Sequence, residues 1–253
     1  MFRLDLRTVK GLFALSAIMG LMAGPASAAL INLTPLTGAT NSVGNVNLND
    51  LISGQTEGIV VGDKVFTGFS YSTLGDMPAA TDVSVLGFRD PDGNWGISFH
   101  GSFKDLPGGA DSDALIRFAV EVDPESLRQG WRITDAHLFL GGVGLGDESY
   151  FLVDESFALS GINDTLNAYQ STLGSGTTSQ LSDSAFFDPG LSKLFVVKDV
   201  NAFAANNSAL PSRATVIDQS FSQELIPEPA TFVLAGMSML AITAAGRRRR
   251  VES

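Results

Sequence analysis

Ile116, Phe118, Val120 and Val122 alternate with Arg117, Ala119 and Glu121. A period of two places the apolar set on one face of an extended strand and gives a helix no apolar stripe. The pattern recurs where Ile97, Phe99 and Phe103 alternate with Ser98, His100 and Ser102, and Val65, Phe69 and Tyr71 are read as one face of a third strand. Further runs rich in Val, Ile, Phe and Thr lie at about 81–88, 131–140, 150–159, 192–203 and 213–223. Turn-forming clusters separate them, among them Asp90-Pro91-Asp92-Gly93-Asn94 and Leu106-Pro107-Gly108-Gly109. Roughly eight to eleven short strands predict an all-β body, an antiparallel β-sandwich or jelly roll. A single helical turn is expected around Leu48 to Ile52. The small polar stretch 174–184 reads as a loop, too short to be an interdomain linker. No internal repeat of fixed period is present, so the body is one domain.

The two ends follow different rules. Arg3, Arg7 and Lys10 precede the apolar run Gly11 to Ala23, and Gly24-Pro25 then leads into Ala26-Ser27-Ala28. A basic start, an apolar middle and an A-x-A end are the pattern of a secretory signal peptide over 1–28, cut by signal peptidase after Ala28. At the other end, Pro227-Glu228-Pro229 precedes an uncharged stretch, Ala230 to Gly246, and then Arg247, Arg248, Arg249 and Arg250. As a helix, 230–246 would span about 25 Å, near the short limit for a bilayer. The arginines orient such a transmembrane helix with the body outside. The prolines stop it from extending back into the body.

The tail from Pro227 to Arg250 resembles the PEP-CTERM sorting signal of exosortase substrates. That resemblance implies an inner-membrane stage, processing near the tripeptide by exosortase, and delivery to the cell surface or an exopolysaccharide matrix. Within 29–226, VGDKVFTGFSY (Val61 to Tyr71), KDVNAF (Lys198 to Phe203) and QSFSQ (Gln219 to Gln223) resemble segments of sandwich domains found before such tails. This second resemblance implies a fold and no activity.

Seven of the 16 basic residues lie outside 29–226, namely Arg3, Arg7, Lys10 and Arg247 to Arg250; three of the 27 acids do, namely Asp5, Glu228 and Glu252. The body therefore keeps 9 basic and 24 acidic groups, a formal charge of −15. Such a surface offers nothing to release counterions from phosphates, which argues against nucleic acid as a partner. The chain has no cysteine, which removes thiol catalysis, thiolate metal sites and disulfides.

No catalytic template is filled. His100 and His137 each lie in a strand among polar neighbours and read as surface imidazoles, without the close ligand pair a zinc site uses. No G-x-S-x-G elbow supports a Ser-His-Asp triad. The run Gly141 to Gly146 lacks the Lys-Ser/Thr of a phosphate loop and reads as a turn after a strand. Asp90, Asp92 and Asn94 alternate as calcium ligands would, the one cofactor the pattern raises. Trp95 stands where a calcium loop needs glycine, and a Pro-Asp-Gly-Asn turn explains the same residues without metal. Asp111 with Asp113, Asp147 with Glu148, and Asp154 with Glu155 read as solvated loop charge. Trp95 and Trp131, the only tryptophans, are the candidates for stacking on sugar rings, although burial in the core is the more frequent place for an aromatic ring.

The leading reading is a surface or matrix protein of structural or interaction type with no catalytic activity. Its alternatives are a carbohydrate-binding module acting on exopolysaccharide and an extracellular hydrolase with dispersed catalytic residues. Mass spectrometry of surface and secreted fractions should find a mature N-terminus at Ala29, and a C-terminus upstream of Ala230 only when exosortase is active. A secreted chain retaining 1–28, or a tail indifferent to exosortase, would contradict these assignments.

Overall fold

The computed structural model describes residues 31–33 and 44–226. The signal peptide read at 1–28 and the tail read at 227–250 lie outside the described residues, as does its span at 230–246. Among the described residues no helix is long and apolar enough to cross a membrane.

In chain order the first elements are β1 (Ile31–Asn32), β2 (Asn45–Asn47), the helical turn α1 (Leu48–Ile52), β3 (Gly58–Val61), β4 (Lys64–Leu74) and β5 (Ser84–Arg89). They are followed by β6 (Trp95–Asp105), β7 (Ser112–Val122), α2 (Pro124–Arg128), β8 (Trp131–Gly141), β9 (Tyr150–Ser156) and β10 (Thr165–Ser171). The last are β11 (Thr178–Gln180), β12 (Ser182–Leu191), β13 (Lys193–Phe203), β14 (Ser212–Phe221) and β15 (Gln223–Leu225).

Eight strands form one sheet in the order β1-β3-β4-β7-β13-β9-β10-β11, and the other runs β12-β8-β14-β6-β5-β2, with β15 added beside β8. Pairing is antiparallel except between β1 and β3. One apolar core joins the inner faces of the two sheets, as a β-sandwich requires. Its centre is aromatic: Phe118 of β7 lies with ring centroids 5.9 Å from Phe99 of β6, across the sandwich, and 5.7 Å from Phe69 of its own sheet. Phe66 of β4 faces Phe221 of β14 at 6.0 Å, again between the sheets. The alternation of β7 holds as read, with Ile116, Phe118, Val120 and Val122 all buried.

Strand β4 departs from the sequence reading. Its pairing with β7 runs to Thr67 opposite Ala119 and resumes at Ser70 opposite Arg117, so one residue is extra on β4. Gly68, with φ 65°, absorbs it as a bulge. The phase of the strand flips there, which buries both Phe66 and Phe69 and leaves Val65 half-buried on the opposite face from Phe69.

The helical turn at 48–52 forms as expected, capped by the Asn47 side chain, which accepts from the Asn49 amide. A second, α2, was not foreseen, although Asp123-Pro124 is an N-cap followed by a first-turn proline. The stretch 174–184 is a loop only at its start. Thr178–Gln180 pairs with β10 and Ser182 opens β12, both exposed and polar enough to hide their extended backbone from a hydropathy pattern. The strand total exceeds the predicted range because β1, β2, β3, β11 and β15 are two to four residues long, too short for a period to show. Pro189 is accommodated in β12, which lies at a sheet edge where a missing amide donor is tolerated.

Candidate functional site

The two tryptophans meet at one cavity. Trp95 opens β6 directly after the Asp90–Asn94 turn and pairs with Arg89 of β5 on one side and Phe221 of β14 on the other. Trp131 opens β8 after Gly130 and pairs with Leu225 of β15. Both are half-buried against the core, so neither projects as a free platform; each presents part of its ring to a cavity of about 340 Å³. The Arg89 guanidinium sits 5.2 Å above the Trp95 ring and donates from Nε to the Gly93 carbonyl at 2.7 Å. Against the ring lies Gly62 in the β3–β4 turn, at φ 59°, where an added Cβ would stand 2.2 Å from the indole. Only glycine fits that contact.

Polar groups complete the cavity. Lys64, 1 % exposed, donates to Asp63 Oδ1 at 2.6 Å, and burial pushes its ammonium pKa down while Asp63 opposes the shift. The other oxygen of Asp63 accepts from Gln223 Nε2. Gln223 Oε1 is buried without a hydrogen-bond partner among the described residues. Asn94 is tied back by Asp90, which accepts from its amide at 2.8 Å and from Nδ2 at 3.0 Å. The site thus combines two indole side chains with both donors and acceptors, and its size falls within the usual range of small-ligand pockets.

The Asp90–Asn94 segment is the turn the sequence suggested. Gly93, at φ 96°, donates to the Asp90 carbonyl at 3.0 Å. Burial alone would raise the Asp90 carboxyl, but hydrogen bonds from Ser220 and Asn94 together hold it below its ordinary value. Its oxygens are thus engaged within the fold, and among the described residues no group of three or more His, Asp or Glu is placed to hold a metal ion.

A wider groove, about 600 Å³, runs over the outer face of the seven-stranded sheet, with Phe88, Phe139, His137, Asp218 and Ser220 on its walls. Asp218 accepts from Ser98, and this contact buries Ser98 on the face where alternation alone would expose it. Burial raises the Asp218 carboxyl above its ordinary value.

His137 is not the isolated surface imidazole the sequence suggested. Its Nε2 lies 3.0 Å from Asp135 Oδ1, and Ser222 Oγ is 3.4 Å from the same nitrogen. A Ser-His-Asp triad needs the carboxylate and the hydroxyl on opposite ring nitrogens, so this trio is an ion pair with a neighbouring hydroxyl. His100 is half-buried in β6. The glycines from 141 to 146 end β8 and turn towards Arg213, whose amide donates to the Gly144 carbonyl at 2.9 Å. The pairs read as solvated charge divide: Asp147 and Glu148 are exposed, whereas Glu155 is 1 % exposed and lies in the core. It is there because β9 alternates, and the position after Asp154 faces inward.

No protein-family model matches the chain, and no curated protein matches it. Among solved structures, the carbohydrate-binding module TmCBM61 in complex with β-1,4-galactotriose is similar over 62 % of this chain and 88 % of its own, at 9 % identity and a TM-score of 0.28. The mannan-recognising module TmCBM27 is similar over 71 % of this chain and 97 % of its own, at 12 % identity and 0.26. The enzymatically active domain of bacteriophage CBA120 tailspike protein 4 is similar over 62 % of this chain but only 19 % of its own, at 12 % identity and 0.26. Likenesses this distant assign no ligand.

The Asp135 hydrogen bond raises the His137 pKa above its ordinary value of 6.5. Stability from this pair is therefore complete below that value and is lost as pH rises through the folded-state pKa. Proton NMR titration should place His137 above 6.5 and bring it down in Asp135→Asn; an unchanged titration in that variant would remove the pair as the cause.

Proposed function

We propose that the chain is an exported cell-surface or matrix protein whose β-sandwich binds carbohydrate in the cavity between Trp95 and Trp131. The observation that carries this reading is the convergence of the chain's two tryptophans, 36 positions apart, with Asp63, Arg89 and Gln223 on one cavity. Sugar rings present apolar faces that stack on indole and rims of hydroxyls that both donate and accept hydrogen bonds. The cavity offers complements to both. Its cations Lys64 and Arg89 are respectively paired with Asp63 and turned over an indole, so a neutral sugar suits it better than an anionic one.

The export half of the proposal is supported by Ala26-Ser27-Ala28 behind an apolar run, and by Pro227-Glu228-Pro229 before an apolar stretch and Arg247 to Arg250. In this reading signal peptidase and exosortase are processing partners, the inner membrane is a transient station, and exopolysaccharide is the ligand source. The protein turns over no external substrate in this reading.

A panel of neutral β-linked gluco-, galacto- and manno-oligosaccharides tests the binding. At least one should bind saturably by calorimetry, without release of reducing ends, and Trp95→Ala should weaken it by about tenfold or more. Full affinity in Trp95→Ala would move the site elsewhere, and hydrolysis abolished by a single carboxylate substitution would make the protein an enzyme.

A further inference from the structure

Deep in the sandwich, away from both cavities, three polar side chains meet. Lys198 of β13 and Glu155 of β9 stand directly opposite each other in the eight-stranded sheet, and both side chains are 0 % exposed. Gln219 of β14 reaches them from the other sheet and is likewise fully buried. The Lys198 Nζ contacts Glu155 Oε2 and Gln219 Oε1 at once. Two atoms of the trio have no hydrogen-bond partner among the described residues: Glu155 Oε1 and Gln219 Nε2.

An ion pair meant only to hold the sheets together gains nothing from unpartnered polar atoms, because each orphan left in an apolar core is costly. The orphans here are the two atoms that acyl transfer would use. One is the free oxygen of a carboxyl beside an amine, and the other is the nitrogen of the amide that the same amine touches.

We propose that this trio forms an intramolecular isopeptide bond between Lys198 Nζ and Gln219 Cδ, joining the two sheets covalently, with Glu155 as the proton carrier. Glu155 first takes a proton from the Lys198 ammonium, leaving a neutral amine and a neutral acid. The amine lone pair attacks Gln219 Cδ, forming the new C–N bond while the amide oxygen gains negative charge and a proton from Glu155. Glu155 then carries a proton from Nζ to Nε2. Collapse re-forms the carbonyl, returns the oxygen's proton to Glu155 and breaks the bond from Cδ to Nε2, so that the amide nitrogen leaves as ammonia and Glu155 ends as the neutral acid. No oxidant, reductant or co-reactant is needed, and the products are one secondary amide and one ammonia.

The setting favours each requirement. Burial pushes the Lys198 ammonium down and the Glu155 carboxyl up, which moves the pair towards amine and acid. Asp183 raises Glu155 further, whereas Asp218 works to keep Lys198 charged. Strands on both sides hold the Lys198 amine against the Gln219 amide, replacing a bimolecular encounter with a fixed approach. Exclusion of water protects the acyl carbon from hydrolysis.

High-resolution mass spectrometry of the purified full-length chain decides the matter. The wild type should weigh one ammonia less than its sequence. Trypsin should then fail to cut after Lys198, and the peptide 194–213 should stay joined to the peptide that begins at Ala214. Glu155→Gln and Gln219→Leu should each restore the sequence mass and the tryptic cut. A wild-type chain at its sequence mass, cleaved normally at Lys198, overturns the proposal whether or not the variants fold. Loss of one water, with Lys198 joined to Glu155, overturns it as well, since the acyl donor would then be the wrong residue.

Discussion

The fold turns on a lysine that has nowhere to go. Lys198 sits in the middle of β13 with its side chain between the sheets, and an unpaired ammonium there would cost several kcal/mol. It is tolerable only if β9 presents Glu155 opposite it and β14 presents Gln219 from across the core. Three strands from two sheets are thereby fixed in register. A slip of one residue along β13 would turn Lys198 to solvent, bring Val197 or Asp199 inward, and leave Glu155 buried without its cation. The apolar residues would tolerate some repacking, whereas the polar trio admits one arrangement. Aromatic packing around Phe118 then fills the space that this register defines.

The same constraint bears on how a chain without cysteine is held together. Two broad sheets in one sandwich supply a large core, and the Lys198 trio adds a link between them. If the link is covalent, it does the work of a disulfide in surroundings where thiols are absent from the sequence. The cavity between the tryptophans depends on it at one remove: β14 carries Gln219 inward, then Phe221 against Trp95 and, past a one-residue step, leads into β15 with Gln223 on the cavity wall. Displacing β14 would therefore open the core and distort the cavity between the tryptophans together.

Much of this was legible in the sequence, for reasons that differ by element. The period of two at Ile116–Val122 announced β7, because a strand with one buried face must alternate. The turn at Asp90–Asn94 was legible from proline and glycine chemistry. The phase flip at Gly68 was not, since an inserted residue leaves the local composition unchanged and only shifts which face each neighbour takes. Glu155 looked like solvated charge beside Asp154 because its lysine partner lies 43 positions away and charge pairing across a sheet has no local signature. Lys198 and Gln219 each open a stretch that resembled a sandwich strand, yet nothing in either stretch said that they touch. Asp135, His137 and Ser222 remained apart for the same reason. Trp95 and Trp131 were picked out as sugar-stacking candidates, but their shared cavity is a product of β6, β8 and the Gly62 turn coming together.

Whether carbohydrate enters between those two indoles is read directly by intrinsic fluorescence. Both tryptophans of the chain line the cavity, so their emission reports on that place alone. Titrating the folded protein with an oligosaccharide that binds by calorimetry should shift or quench the tryptophan emission, with a midpoint equal to the calorimetric one. Saturable binding that leaves the emission unchanged would put the ligand elsewhere on the sandwich and contradict binding between the tryptophans.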